Sequence, residues 1–361
     1  MSSQESTRVR RWTIAGIAAA LAFATIGVAG SGPASAAREA AMSEQPEPDP
    51  SALTLRGFLR DKRGDFTTIE PPGAASTKAG GLNDRGEVVG IGYPRLDGNG
   101  GGFGFLRDRG GDYTTFVFPG TGPESRTVAA GINNRGQIAG WSDDGVTSFG
   151  YIRDRRGNFT RIEHPDASGT SPLGSGTNIT GINDRGEVVG NYAADGTVYG
   201  FLRDRRGKFT TIRPPGAAAT YLTGINDRGE IVGQSSEVGV EELLVTPPAF
   251  LLSKGVYEEI TFPGASLTFA NGITNGGEIA GSYVDDAGTT HGFLRSKRGD
   301  YTSIENPDAE GLGTAIYAIN ERGDTTGAYV SPVREAQATS QGPRASDAQA
   351  MDLLSALAPI G

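Results

Sequence analysis

GINDRGEVVG, residues Gly181 to Gly190, decides the reading of this chain, because close copies of it recur along most of the length. GLNDRGEVVG starts at Gly81, GINNRGQIAG at Gly131 and GINDRGEIVG at Gly224; GITNGGEIAG starts at Gly272 and a weaker AINERGDTTG at Ala318. A second motif alternates with it. It reads GFLRDKRGDFTTI from Gly57, GFLRDRGGDYTTF from Gly104, GYIRDRRGNFTRI from Gly150, GFLRDRRGKFTTI from Gly200, AFLLSKGVYEEI from Ala249 and GFLRSKRGDYTSI from Gly292. Six copies of each, at a period of 43 to 50 residues, mark a repeat architecture.

Each motif reads as a β-hairpin. In INDRGE, Asn183 opens the turn, Asp184 and Arg185 occupy its centre, and Gly186 supplies the positive φ of a type I turn with a glycine bulge. RDRRGKF repeats the scheme, with Asp204 first and Gly207 fourth. Two hairpins per period give four strands: A runs into GIN, B is EVVGxY, C is GFLRD and D is FTTIxxP. Paired apolar residues (Val188 with Val189, Phe201 with Leu202) imply strands covered on both faces, since a sheet with one wet face would alternate. Six small sheets covered on both sides suit radial stacking. The expected fold is all-β, a six-bladed β-propeller. The first motif of the chain is C–D and the last is A–B, so the sixth blade should join both ends, pairing strands near Ile316 and Ala328 with Phe58 and Phe66. That arrangement removes an exposed sheet edge.

Composition agrees. Gly (56) and Pro (20) are abundant, as many short strands and tight turns require. A formal charge of −9 argues against nucleic acid as a partner, because phosphate neutralisation needs basic surface. With no Cys, disulfides, thiolate metal sites and lipobox lipidation are excluded. Arg8, Arg10 and Arg11 precede an apolar stretch from Ile14 to Gly30, and Ala34-Ser35-Ala36 is a small-x-small cleavage site. Residues 1–36 are therefore expected to be a signal peptide, by a Sec or a twin-arginine route. An uncleaved anchor is the competing reading. A Pro- and Glu-rich linker is expected over 37–54, the propeller over 55–330 and a flexible tail over 331–361. The expected product is a secreted or cell-surface monomer with no membrane span after cleavage.

The pairing of GINxRGEVVGxY with GFLRDRxGxFTTI resembles the HAF-type extracellular repeats of bacteria, named for a His-Ala-Phe tripeptide at the start of strand C. Here it stands as His291-Gly292-Phe293 and Pro248-Ala249-Phe250, and the other copies lack the His. The resemblance covers Leu55 to about Val330. It implies propeller blades in an exported protein and carries over no catalytic residue.

With strand order A-B-C-D, the A–B and C–D turns share one face and the B–C and D–A loops the other. Irregular loops on a rigid scaffold usually carry function, so the loop face is the expected ligand site. The C–D turns carry nine more positive than negative charges, which leaves the remainder strongly acidic. Asp97, Asp143, Asp144, Asp166, Asp195, Asp285, Asp286, Asp308 and Glu310 fall on the loop face, so a basic turn face should oppose an acidic loop face. Calcium is the sharpest use of such a rim. The plainer and preferred reading is hairpin turn chemistry, since no loop shows an alternating Asp series. Tyr93, Trp141, Tyr192, Tyr283 and Tyr329 recur where strand B ends. They could stack on sugar rings, but packing between blades is the preferred reading. The insertion Gln234 to Pro248, with Glu237, Glu241 and Glu242, is a candidate specialised contact.

Enzyme signatures are thin. His164 and His291, the only histidines, sit at different points of the repeat, and no GxSxG elbow or metal-spaced His pair exists. Three RGD triplets (at Arg63, Arg298 and Arg322) follow from turn grammar, and GNGGG (98–102) precedes a strand rather than a phosphate-binding helix. The sequence thus points to a binding scaffold for a surface glycan or protein. The alternative is a carbohydrate-active or other hydrolytic propeller using loop-face carboxylates.

Overall fold

A computed structural model describes residues 53–96, 101–171, 174–239 and 248–333. The signal segment, nearly all of the linker, Asp97, Glu241, Glu242 and all but the first three residues of the expected tail lie outside them. Among the described residues the protein is all-β, with one 3-10 turn at Pro307–Ala309, and no helix is long and apolar enough to cross a membrane.

Six four-stranded antiparallel sheets form the blades of a propeller. Blade II holds β3 (Ser76–Leu82), β4 (Val88–Tyr93), β5 (Phe103–Arg107) and β6 (Tyr113–Phe116). Blade III holds β7 (Thr127–Ile132), β8 (Ile138–Asp143), β9 (Ser148–Arg153) and β10 (Phe159–Ile162). A two-stranded hairpin, β11 (Thr170–Ser171) and β12 (Gly174–Ser175), precedes blade IV and was not foreseen from the repeat. Blade IV holds β13 (Thr177–Ile182), β14 (Val188–Ala194), β15 (Thr197–Arg203) and β16 (Phe209–Ile212). Blade V holds β17 (Ala219–Ile225), β18 (Ile231–Ser236), β19 (Ala249–Ser253) and β20 (Val256–Ile260). Blade VI holds β21 (Leu267–Ile273), β22 (Ile279–Val284), β23 (Thr290–Arg295) and β24 (Tyr301–Ile304). Blade I is composite. It sets β25 (Thr314–Ile319) and β26 (Thr325–Pro332) beside β1 (Leu53–Arg60) and β2 (Phe66–Ile69), with Phe58 opposite Gly327.

Both turns have the geometry their residues dictate. Asn183 O accepts from Gly186 N (3.1 Å), Asn183 Oδ1 accepts from the amides of Arg185 and Glu187 (both 3.0 Å), and Gly186 has φ 81°. Asp204 repeats this on Arg206 N (2.9 Å) and Lys208 N (2.8 Å), with Gly207 at φ 91°.

The Val pair explains the radial stacking. Val188 packs with Ala139 of blade III, whereas its neighbour Val189 packs with Leu222 and Phe250 of blade V. Successive side chains of a strand point to opposite faces, so two adjacent apolar residues glue one blade to both neighbours. Strands A and B are buried almost throughout, but strand D exposes its Thr-Thr pair because the blades splay outward.

Close approach of backbones explains the two glycines that bound the decapeptide. Every A strand bulges beside its B strand, and a β-carbon on Gly190 would lie 2.1 Å from Asn178 O and 2.8 Å from Phe201 Cζ. The first glycine is packed between A strands: a β-carbon on Gly181 would lie 3.3 Å from Gly224 Cα, and one on Gly81 would lie 2.8 Å from Gly131 Cα.

Candidate functional site at the mouth of the ring axis

The A–B turns of all six blades meet around the axis. At the residue after the turn-opening Asn or Thr, each backbone N–H donates to the side chain of the same position in the next blade. Asp84 N reaches Asn134 Oδ1 (2.8 Å), Asn134 N reaches Asp184 Oδ1 (2.6 Å), and Asp184 N reaches Asp227 Oδ1 (2.7 Å). Asp227 N reaches Asn275 Oδ1 (2.7 Å), Asn275 N reaches Glu321 Oε1 (2.5 Å), and Glu321 N returns to Asp84 Oδ1 (2.9 Å). The circuit is complete.

A second circuit runs through the turn-opening residue itself. Nδ2 of Asn83, Asn133, Asn183 and Asn226 donates to the carbonyl of the next blade's equivalent at 2.9–3.1 Å, and Asn320 donates to Asn83 O at 3.2 Å. Blade VI carries Thr274 there, which has no amide to continue the circuit.

The residues of both circuits other than Thr274 line a cavity of about 90 Å³, together with Leu82, Ile132, Ile182, Ile225, Ile273 and Ile319. That is room for several waters or one small polar group. Drug-sized ligands occupy pockets of about 300–1,000 Å³. Two amides, Asn134 and Asn275, interrupt the four carboxylates of the mouth, so that Asp184 stands beside Asp227 and Glu321 beside Asp84. Asn134 Nδ2 donates to both Asp84 Oδ2 (2.6 Å) and Asp184 Oδ2 (2.8 Å), and Asn275 Nδ2 donates to Asp227 Oδ2 (2.9 Å). Asn134 thereby separates Asp84 from Asp184, and the acidic pairs Asp184 with Asp227 and Glu321 with Asp84 are bridged by backbone N–H donors. Around them lies a belt of arginines, of which Arg85, Arg185 and Arg322 pair with Glu87, Glu187 and Asp324 at 2.7–2.8 Å.

Further out on this face stand the C–D turns. The strand-end arginines lie over aromatic rings: Arg153 is 4.7 Å from the Phe116 centroid, Arg203 is 5.8 Å from Phe209, and Arg295 is 5.9 Å from Tyr301. Asp61, Asp154 and Asp204 cap their turns, and hydrogen bonds from the turn hold their carboxyls below the usual range: for Asp61 and Asp204 backbone amides lead, and for Asp154 the Asn158 side chain leads.

On the opposite face the expected ligand residues are engaged in structure. Asp143 is buried and pairs with Arg126 Nε at 3.0 Å, while Arg126 lies 5.5 Å from the Trp141 ring. Asp144 caps its own turn through Val146 N and Thr147 N, and those amides lower its pKa. Asp195 occupies a left-handed turn position (φ 51°), and Asp286 is exposed at a turn. Among the described residues, no three acidic or His side chains converge to hold a metal ion.

The aromatic residues fill the wedges between blades. Trp141 and Tyr192 are 3 % and 6 % exposed, and Tyr329 is buried. His164 stacks on Tyr192 at 3.7 Å (4°), and Phe262 stacks on Tyr283 at 3.7 Å (5°). Tyr93 is half-buried against Ile91, Val128 and Trp141. Burial and these stacking partners remove Trp141 and Tyr192 as platforms for sugar rings.

Two features escaped sequence reading. One is the axial mouth, built from the turns of the repeated decapeptide; its signal was the second turn residue, which is Asp, Asn or Glu in all six copies. The other is a loop-face network in blade VI. His291 Nδ1 contacts Glu305 Oε1 (2.5 Å), and Nε2 contacts Asp285 Oδ2 (3.0 Å). Burial works to lower the His291 pKa, but hydrogen bonds and charge from Asp285 and Glu305 outweigh it and raise the value.

No protein-family model and no curated protein matches the sequence. Among solved structures, a protein assigned as TolB from Agrobacterium tumefaciens is similar at 14 % identity, over 78 % of this chain and 99 % of that one, with a TM-score of 0.55. A virginiamycin B lyase from Staphylococcus aureus is similar at 10 % identity, over 78 % of this chain and 96 % of that one, with a TM-score of 0.43. At these identities the likeness is one of fold: the chain is a six-bladed propeller.

Proposed function

We propose that this chain is an exported, non-catalytic binding scaffold that meets its partner with the turn face. One observation carries the reading. The described loop-face acids cap turns, form ion pairs or sit singly at turn tips, whereas the turn face holds exposed cations around a rigid, hydrogen-bonded ring. Such a ring holds contact groups at fixed positions, which lowers the entropy lost on binding. The test pits the faces against each other on an immobilised panel of neutral and charged glycans and wall polymers. Arg155→Glu with Arg205→Glu should weaken binding to whichever polymer is retained by at least about fivefold, and Asp144→Asn with Asp286→Asn should leave it within about twofold, the scale of exposed single charges. The reverse pattern would overturn the choice of face.

The Asp285–His291–Glu305 network favours a second reading, acid–base hydrolysis of a glycan on the loop face. A carboxylate on each ring nitrogen suits a proton carrier. Sugar release from any member of the panel, lost in His291→Gln, would establish that reading in place of the first.

A further inference from the structure

The turn face is not uniformly basic, and its asymmetry points to the class of partner. After the C–D turn glycine, blades I, II and VI carry Asp (Asp65, Asp112, Asp300), but blade III carries Asn158 and blade IV Lys208. The A–B turn of blade III also lacks acids. Asn134 and Gln137 stand where blade IV has Asp184 and Glu187, so Arg135 has no carboxylate within its own turn.

One sector, spanning two adjacent blades, therefore presents Arg135, Arg155, Arg156, Arg205, Arg206 and Lys208, all exposed. None of the six forms an ion pair among the described residues. The acids of the same C–D turns, Asp154 and Asp204, accept hydrogen bonds from the amides of their own turns. The Arg155 stem is packed as well: it lies against Gly136, where a β-carbon would be 2.8 Å from Arg155 Cγ. An ordered stem with a free head group gives up little rotamer freedom on binding.

We infer that this sector binds an acidic polysaccharide, its carboxylate or sulfate groups seated on the guanidinium forks of blades III and IV. The inference rests on the turn-face reading above. Guanidinium takes carboxylates and tetrahedral oxyanions in paired hydrogen bonds, and a linear polymer can follow the arc from one hairpin tip to the next. Nucleic acid fits less well. The large apolar side chains exposed among the described residues are valines, which offer no platform for base stacking, and the formal charge of −9 repels a phosphate backbone outside the sector.

The full chain is titrated with a uronate polymer, with heparin and with duplex DNA at several salt concentrations. A variant carrying Arg155→Gln, Arg156→Gln, Arg205→Gln, Arg206→Gln and Lys208→Gln is compared with a control carrying Lys62→Gln, Arg63→Gln, Lys297→Gln and Arg298→Gln. Equal melting temperatures confirm that both fold. At roughly a factor of two per exposed contact, the sector variant should bind the acidic polysaccharide at least about tenfold more weakly, and the control within about threefold. Affinity should fall as salt rises. Uronate preferred over heparin, or the reverse, identifies the anionic group. Tighter binding of DNA overturns the polysaccharide while the turn face stands, if the sector variant still loses affinity. Equal losses in both variants overturn the sector. No binding, or no effect of either variant, overturns the turn-face reading as well.

Discussion

Asn183 shows how much one side chain does in this repeat. Its Oδ1 closes the turn on two amides, while Nδ2 donates to Glu187 Oε2 (2.8 Å) and across the blade boundary to Asn226 O (3.1 Å). The local half of that role was legible, because Asn is favoured at the first position of a type I turn. The other half was not, since its acceptor lies 43 residues away and is brought close only by the ring. The two histidines differ in the same way: their neighbours, not their sequence context, set their chemistry. Burial lowers the His164 pKa, with Asp166 opposing weakly, whereas carboxylates raise His291. His291 therefore adds stability that is full below about pH 6.5 and lost as pH rises through its raised value. His164 favours the folded state above about pH 6.5, and that contribution fades as pH falls toward its lowered value. With only two histidines, an NMR titration of the ring protons should give two separate curves, one midpoint on each side of 6.5. His291→Gln should abolish the upper curve. Coincident midpoints would contradict the assigned environments.

The blade strands were the most legible elements, because turn residues mark both hairpins and the Val pair reports burial on both faces. The need for glycine at the end of EVVG was not legible. It arises from the A-strand bulge, which drives a carbonyl toward strand B, and from the strand C aromatic lying across the same spot. All six blades have Gly there, at positions 90, 140, 190, 233, 281 and 327. Gly190→Ala should therefore overpack the blade and cost about 1–3 kcal/mol, lowering the chemical-denaturation midpoint with little change in slope. Wild-type stability in that variant would show that the strands can part more easily than the bulge suggests. The loop-face aromatics were legible only as recurring positions, with packing preferred over stacking on sugars. Their stacking on His164 and Phe262 depends on contacts between neighbouring blades.

At the scale of the molecule, six motif copies became six blades, and the alternation of hairpins placed regular turns and irregular loops on opposite faces. The site was harder to read, for a physical reason. A motif common to every blade looks redundant along the chain, but around an axis its copies meet, and six ordinary turns become a closed circuit of hydrogen bonds. The informative residues are those where copies differ: Asn134 and Asn275 among the axial carboxylates, and Asn158 and Lys208 where blades I, II and VI carry Asp. On this reading the protein binds through the basic sector of the turn face. Hydrogen–deuterium exchange of the full chain, with and without an acidic polysaccharide, maps the contact directly. Added protection is expected over residues 133–137, 153–159 and 203–209, with none over loop residues 143–148 and 285–290. Protection confined to those loops would contradict this reading.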